Sequence, residues 1–164
     1  MLVVVALGGN AFLRRGAEPT QEEHLLNIKI AARVVAEIVR EGHKAVVTHG
    51  NGPQVGALDE LQAAAGRRYL KLDALGAATQ GFLGYFIAQS IDEELGTLGA
   101  AVAVVTRTLV RGDDPAFSNP TKFVGVAYPE VVAKRLAEEN GWVMKLDKGR
   151  GWRRAVPSPE PLDI

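Results

Sequence analysis

Two short loops in the first third of the chain carry residues suited to holding an anion. Leu7-Gly-Gly-Asn-Ala11 follows one apolar run, and His49-Gly-Asn-Gly-Pro-Gln-Val-Gly56 follows a second. Glycines there let the backbone curl until several N–H groups converge on one negative charge. Neither loop is the G-x-G-x-x-G dinucleotide fingerprint, and neither runs into the G-K-[ST] of a Walker A loop. A lone Gly-Gly after a strand is most often an ordinary turn. Two Gly-Asn loops after two apolar runs say more, because open α/β sheets bind ligands beyond the carboxyl ends of their strands. Pro53 suits the first turn of a helix, whose N-terminal dipole favours an anion. The candidate phosphate-binding residues are therefore Gly8, Gly9, Asn10, Gly50, Asn51 and Gly52. His49 is a supporting candidate, since a single histidine at a strand end is more often structural than an acid–base catalyst.

Cations come later in the chain. Asn119-Pro-Thr-Lys122 lies among turn formers, where a solvated turn is the ordinary reading; the functional reading is a lysine on a mobile arm that reaches an anionic ligand. Gly149-Arg-Gly-Trp-Arg-Arg154 is a basic cluster. Such a cluster is usually a solvated face, but arginine also grips phosphate with two parallel hydrogen bonds. Arg153 and Gln54 are kept as further supporting candidates. His24, His43 and His49 lack metal-ligand spacing, so no metal is assigned to protein ligands, and no Ser-His-Asp arrangement is visible.

The elements that must position these residues can be read from pattern. Leu2 to Leu7 is a Val-rich run expected to be a strand buried on both faces of a parallel sheet. Thr20 and Glu23 form a capping box ahead of Leu25, Ile28, Ala32, Val35 and Val39 at helical spacing, and Gly42 stops that helix. Ala45 to Thr48 is a second strand, so the first fifty residues read β–α–β with a right-handed crossover. A helix is expected from Pro53 to about Ala65. Another starts near Asp73 and continues to Leu95. Its small-residue stripe Ala77, Gly81, Gly84 and Ala88 needs a close neighbour, because an interior glycine costs up to about 1 kcal/mol. Ala101 to Val105 is expected as a third strand. From residue 107 onward the chain turns polar, with a short helix at Pro129 to Glu139 and strands at Trp142 to Leu146 and Trp152 to Val156.

Composition narrows the function classes. At 164 residues, the chain is long enough for one domain that buries roughly 70% of its unfolded surface. Hydrophobic residues make up 47% and charged residues 23%, as in a soluble globular protein. Lys plus Arg and Asp plus Glu balance at 19 each, which argues against nucleic acid or an anionic membrane as the main partner. There is no cysteine, which excludes disulfides and thiol catalysis. No run approaches the roughly 18 apolar residues of a membrane span, and the start lacks the basic region of a secretory leader. The expected location is the cytoplasm.

Four segments taken in order, ALGGNA, VTHGNGPQVG, DDPAFSNPTK and GRGWRRAVPSP, resemble carbamate kinase within the wider amino-acid kinase family. The resemblance covers essentially all 164 residues. The wider family usually has a lysine two residues before the first glycine; here that position is Ala6, as in carbamate kinases. Phe123 and Val126 stand where carbamate kinases often have proline, and the segment around Leu75 lacks their frequent cysteine.

The resemblance implies an α/β fold, a three-layer αβα sandwich around a mainly parallel sheet. Its domain plan has residues 1–106 as an N-terminal lobe holding carbamate or carbamoyl phosphate and residues 107–155 as a protruding subdomain. Residues 156–164 form a connector toward a nucleotide-binding lobe. The implied reaction is reversible phosphoryl transfer between ATP and carbamate, with Mg²⁺ accompanying ATP or ADP, a homodimeric assembly, and a place in arginine catabolism. Lys122, Gly9 and Asn10 take the catalytic role. Lys122 supplies the cation that Ala6 cannot, by swinging in with the subdomain. Carbamate kinases are about twice this long, and their second half carries most of the nucleotide site, so this chain is expected to be inactive alone. A non-catalytic anion-binding fragment and another amino-acid kinase, acting on glutamate or aspartate, remain the alternatives.

Overall fold

A computed structural model describes residues 1–8, 11–12, 18, 20–67 and 69–163. The described chain is mixed α/β and divides into two compact units. One comprises residues 1–54 and 76–105, the other residues 55–75 and 106–164. The division falls inside two helices, α2 (Gly52–Ala64) and α3 (Leu72–Leu95). Among the described residues no helix is long and apolar enough to cross a membrane.

The first unit is built on two parallel strands, β1 (Leu2–Leu7) and β2 (Lys44–His49), joined by helix α1 (Gln21–Arg40). Register runs from Leu2 opposite Lys44 to Leu7 opposite His49. The α1 start follows its sequence signal on one side only. Glu23 N–H donates to Thr20 Oγ1 at 3.2 Å, but the Glu23 carboxylate accepts from Asn27 instead of reaching back. The α1 end is a Schellman arrangement: Gly42, at φ 83°, donates to the Val39 carbonyl, and His43 donates to the Ile38 carbonyl.

Ile28, Ala32 and Val35 of α1 meet Leu83, Ile87 and Ile91 of α3 and Phe12 in one buried cluster. Val5, Leu7, Ala45 and Val47 pack against it from one face of the strand pair. Each fully buried Ile, Leu or Phe contributes about 1.5–3 kcal/mol relative to exposure. The opposite face differs from the expectation of burial on both sides. Leu2 is 64% and Val4 63% exposed, with Val46 beside them. Side chains alternate in a strand, so helices on one side leave the even-numbered residues of β1 and β2 open.

Residues 101–105 also depart from expectation, since they join no ladder among the described residues. Val102 and Val104 are exposed. A strand exists through its hydrogen-bonded neighbour, and β-branched sequence alone does not supply one. This segment does answer the small-residue stripe of α3 at one point. A Cβ on Gly84 would stand 2.7 Å from the Ala103 Cβ, whereas one on Gly81 would meet nothing within 4 Å. The turn that leads there is tied by the Asp92 carboxylate, which accepts from the N–H groups of Gly99 and Ala101.

The second unit holds an antiparallel sheet in the order β4 (Lys122–Tyr128), β6 (Gly151–Val156), β5 (Met144–Asp147). Helix α4 (Glu130–Asn140) ends at Gly141 in the left-handed region. Two short strands, β3 (Leu109–Val110) and β7 (Pro161–Asp163), pair antiparallel. Strand β4 has no counterpart in the pattern reading. Its register shifts between Val124 and Tyr128, and Gly125 sits at φ 71°, so apolar alternation is broken where a strand would show it.

The residues of α2 that belong to this unit pack closely on β4. A Cβ on Gly56 would lie 2.5 Å from the Gly125 backbone, and Val126 N–H donates to Glu60 Oε1 at 2.8 Å. Arg154 pairs with the buried Asp59 and lies over the Trp142 ring, 4.7 Å from its centre. Burial lowers the Arg154 pKa from its usual value.

Candidate functional site

The parallel pairing of β1 and β2 ends with Leu7 opposite His49, which sets Gly8 and Gly50 side by side at the carboxyl edge. Gly50 N–H donates to the Leu7 carbonyl at 3.2 Å, and Ala11 N–H to the Gly8 carbonyl at 2.9 Å. Helix α2 begins at Gly52, with no acidic residue in its first turn. Its first N–H groups have no partner within the helix, the usual condition for holding an anion.

Gly8, Gly50 and Gly52 have neither of the usual reasons to be glycine. None has positive φ. A Cβ on any of them would meet no described atom within 4 Å. The open Cβ positions leave room for a ligand to approach the backbone there.

The polar side chains around this edge are tied down. The Asn51 amide donates to the Gly76 carbonyl at 3.1 Å and to Thr79 Oγ1 at 2.8 Å. Both amide hydrogens are thus occupied, and Asn51 holds its loop against the N-terminal part of α3. His49 packs edge-on to Phe12, ring centres 5.6 Å apart, while its Nδ1 donates to the Gly50 carbonyl. Gln54, in the first turn of α2, is 2% exposed and donates from Nε2 to His24 Nε2 at 2.9 Å. His24 in turn bonds the Thr20 carbonyl through Nδ1. This buried pairing of the first turns of α1 and α2 has no sequence signature, because the two residues are thirty positions apart.

Gly9 and Asn10 lie outside the described residues. Lys122 and Arg153 belong to the second unit. Lys122 is exposed and opens β4, paired with Val156. It therefore sits on a sheet, not within an irregular arm. Arg153 bonds the Gly125 carbonyl through Nε and Nη2 and Asp147 through Nη1, so its guanidinium is engaged inside its own unit. Among the described residues no group of three His, Asp or Glu side chains could hold a metal ion.

Residues 1–126 match the amino acid kinase family. The chain belongs to the amino acid kinase family. Within that family it is 50% identical to the carbamate kinase of Pyrococcus furiosus over an alignment 166 positions long that covers 97% of this chain and 53% of that protein. The carbamate kinase of Giardia lamblia solved with citric acid superposes with a TM-score of 0.85 at 45% identity, over 99% of this chain and 54% of that one. The same enzyme bound to AMP-PNP gives 0.77 at 44% identity, again over 99% and 54%. This amino acid kinase chain thus spans about half the length of the curated relatives it matches.

Proposed function

We propose that the chain forms the substrate-binding part of a carbamate kinase, which catalyses ATP + carbamate = ADP + carbamoyl phosphate. One observation carries this reading: two glycine loops side by side at the carboxyl ends of parallel strands, their Cβ positions open, at the start of a helix. It is supported by 50% identity to a named carbamate kinase. In the ATP-forming direction, the bond between phosphorus and the carbamate oxygen breaks. A terminal oxygen of ADP forms the new bond to phosphorus, and carbamate leaves.

Such a transfer needs positioning and charge neutralisation more than covalent help. The N–H groups of Gly8, Gly9 and Gly52 would hold the phosphoryl oxygens, with Asn10 adding a side-chain donor; Gly50, whose N–H serves the Leu7 carbonyl, would keep the space beside them open. Asn51 would act through its loop, since its amide hydrogens already serve Gly76 and Thr79. Lys122 would bring the positive charge that Ala6 lacks.

The nucleotide reading draws on the Giardia relative with AMP-PNP. Mg²⁺ would arrive on the nucleotide; the described residues offer it no three-ligand cluster, and no step is assigned to it. The domain plan of 1–106, 107–155 and 156–164, a homodimer, a cytoplasmic location and a role in arginine catabolism belong to the same proposal. A non-catalytic anion-binding chain is the second reading, since the open glycine edge could hold an anion without turnover.

The deciding assay follows ATP formation from ADP and carbamoyl phosphate, for this chain and for any longer product of its gene. Activity in a longer product with none in the 164-residue chain fits the first reading. If the gene encodes no more than these residues and they bind phosphate without turnover, the second holds.

A further inference from the structure

The cradle at the carboxyl edge is made of donors, which suits phosphoryl oxygens but not an amino group. A substrate carrying –NH₂ needs a fixed acceptor. One buried acceptor in this region has no partner among the described residues: Gln54 Oε1. Its orientation is determined by a short chain of hydrogen bonds. A carbonyl only accepts, so the Thr20 contact puts the proton of His24 on Nδ1. In the neutral ring Nε2 is then an acceptor, and the Gln54 amide must present its NH₂ there. Oε1 is left over, in a side chain only 2% exposed.

Placement agrees with a ligand role. In a β–α–β unit the helix that follows β1 begins at the carboxyl edge. His24 lies in the first turn of α1 and Gln54 in the first turn of α2, two residues after Gly52. The side chain of a helical residue leans toward the helix N-terminus, and for Gln54 that is the end where Gly52 begins α2. Buried polar atoms are nearly always paired, so an unpaired carbonyl oxygen here calls for a partner that comes and goes.

We infer that Gln54 Oε1 accepts a hydrogen bond from the amino group of carbamate and carbamoyl phosphate, making Gln54 a specificity-determining residue. The inference rests on the carbamate kinase reading and adds how this substrate is told from an acyl phosphate with methyl in place of amino. Acetyl phosphate has the same phosphoryl group and nearly the same shape, but it offers Oε1 nothing.

The test uses the full-length product of the gene and measures ATP formation from ADP with carbamoyl phosphate or acetyl phosphate as donor. The wild-type enzyme should prefer carbamoyl phosphate. Gln54→Met keeps the length of the side chain and removes the acceptor, together with the N–H donated to His24. Its kcat/KM for carbamoyl phosphate should fall about 10- to 100-fold further than that for acetyl phosphate, the range for a lost buried hydrogen bond, since the lost His24 contact bears on both substrates alike. The acetyl phosphate rate also shows that the variant is folded. Gln54→Glu, which retains an acceptor, should keep more of the discrimination than Gln54→Met. Equal losses with both donors, or no loss, would overturn the inference while leaving the kinase reading intact. Equal wild-type rates with both donors would overturn it without any variant. A wild-type enzyme that forms ATP from neither donor would remove the kinase reading and this inference together.

Discussion

Gly56 and Gly125 face each other so closely that a Cβ on Gly56 would lie 2.5 Å from both the Cα and the N of Gly125. Helix propensity alone favours Gly56→Ala by up to about 1 kcal/mol. The contact is with backbone, which cannot swing aside, and overpacking costs about 1–3 kcal/mol. The contact should win, so Gly56→Ala lowers stability by about 1–2 kcal/mol net in urea unfolding. Gly81→Ala, in open space within α3, should instead raise stability by about 0.5–1 kcal/mol. Opposite signs for two Gly→Ala changes in helices would show that contact, not propensity, decides.

The Asp59–Arg154 pair is a second test of how α2 is held. Asp59 is 6% exposed, and Arg154 is stacked on Trp142. Asp59→Ala leaves a guanidinium with its compensating charge removed and should cost about 3–5 kcal/mol. Arg154→Leu added to Asp59→Ala should recover part of that loss, because no unpaired buried charge remains. A double-mutant cycle followed by Trp fluorescence measures the coupling. Additive losses would show that the pair is not energetically linked.

Tyr128 should titrate late. Burial, then the charge of Glu60 and a hydrogen bond to its carboxylate, push its phenol up to about 12. The folded state therefore favours the neutral phenol. Its contribution to stability is complete below the unfolded pKa near 10 and is lost as pH rises from there toward 12. Absorbance at a tyrosinate wavelength should show one late component among three tyrosines, absent in Tyr128→Phe. If Tyr128→Phe leaves the titration curve unchanged, Glu60 does not hold this phenol.

Lys122→Ala in a full-length version should lower kcat by at least about 10²–10³, as loss of a charge-stabilising group does. Lys122 is exposed at the start of β4, so stability should stay within about 0.5 kcal/mol. Steady-state kinetics paired with thermal unfolding separates the two effects. Unaltered turnover removes Lys122 from the mechanism.

The 164-residue chain alone should self-associate, because Leu2, Val4 and Val46 expose one face of the strand pair and Val102 and Val104 form no ladder among the described residues. Light scattering coupled to size exclusion should report species larger than a monomer. A monodisperse, cooperatively melting monomer contradicts this.

What the sequence made legible was local. Thr20, Gly42 and Gly141 each carry a helix boundary in their own chemistry, and the β–α–β start follows from two apolar runs around one amphipathic helix. What it hid depends on partners. Residues 101–105 look like a strand but find no neighbour among the described residues. Strand β4 was invisible because Gly125 breaks its alternation while satisfying a turn-like backbone. At the carboxyl edge of β1 and β2, the glycine pattern alone singled out Gly8, Gly50 and Gly52 as candidates. It gave no sign that Asn51 serves α3, that Arg153 is engaged with Gly125 and Asp147, or that Gln54 is buried against His24. Those facts come from residues far apart in sequence, and single-chain pattern does not encode them.

The central claim is that a ligand, not the protein, fills the space beside Gly50. Its most direct measurement is the rate of ATP formation from ADP and carbamoyl phosphate by full-length Gly50→Ala, with the melting temperature recorded in parallel. A Cβ there strains no backbone and meets no described atom, so the fold should be unchanged. The account predicts that kcat/KM falls by about tenfold or more, because the methyl group takes the space of the phosphoryl oxygens and displaces them from the neighbouring N–H donors. Full activity at unchanged melting temperature would contradict it.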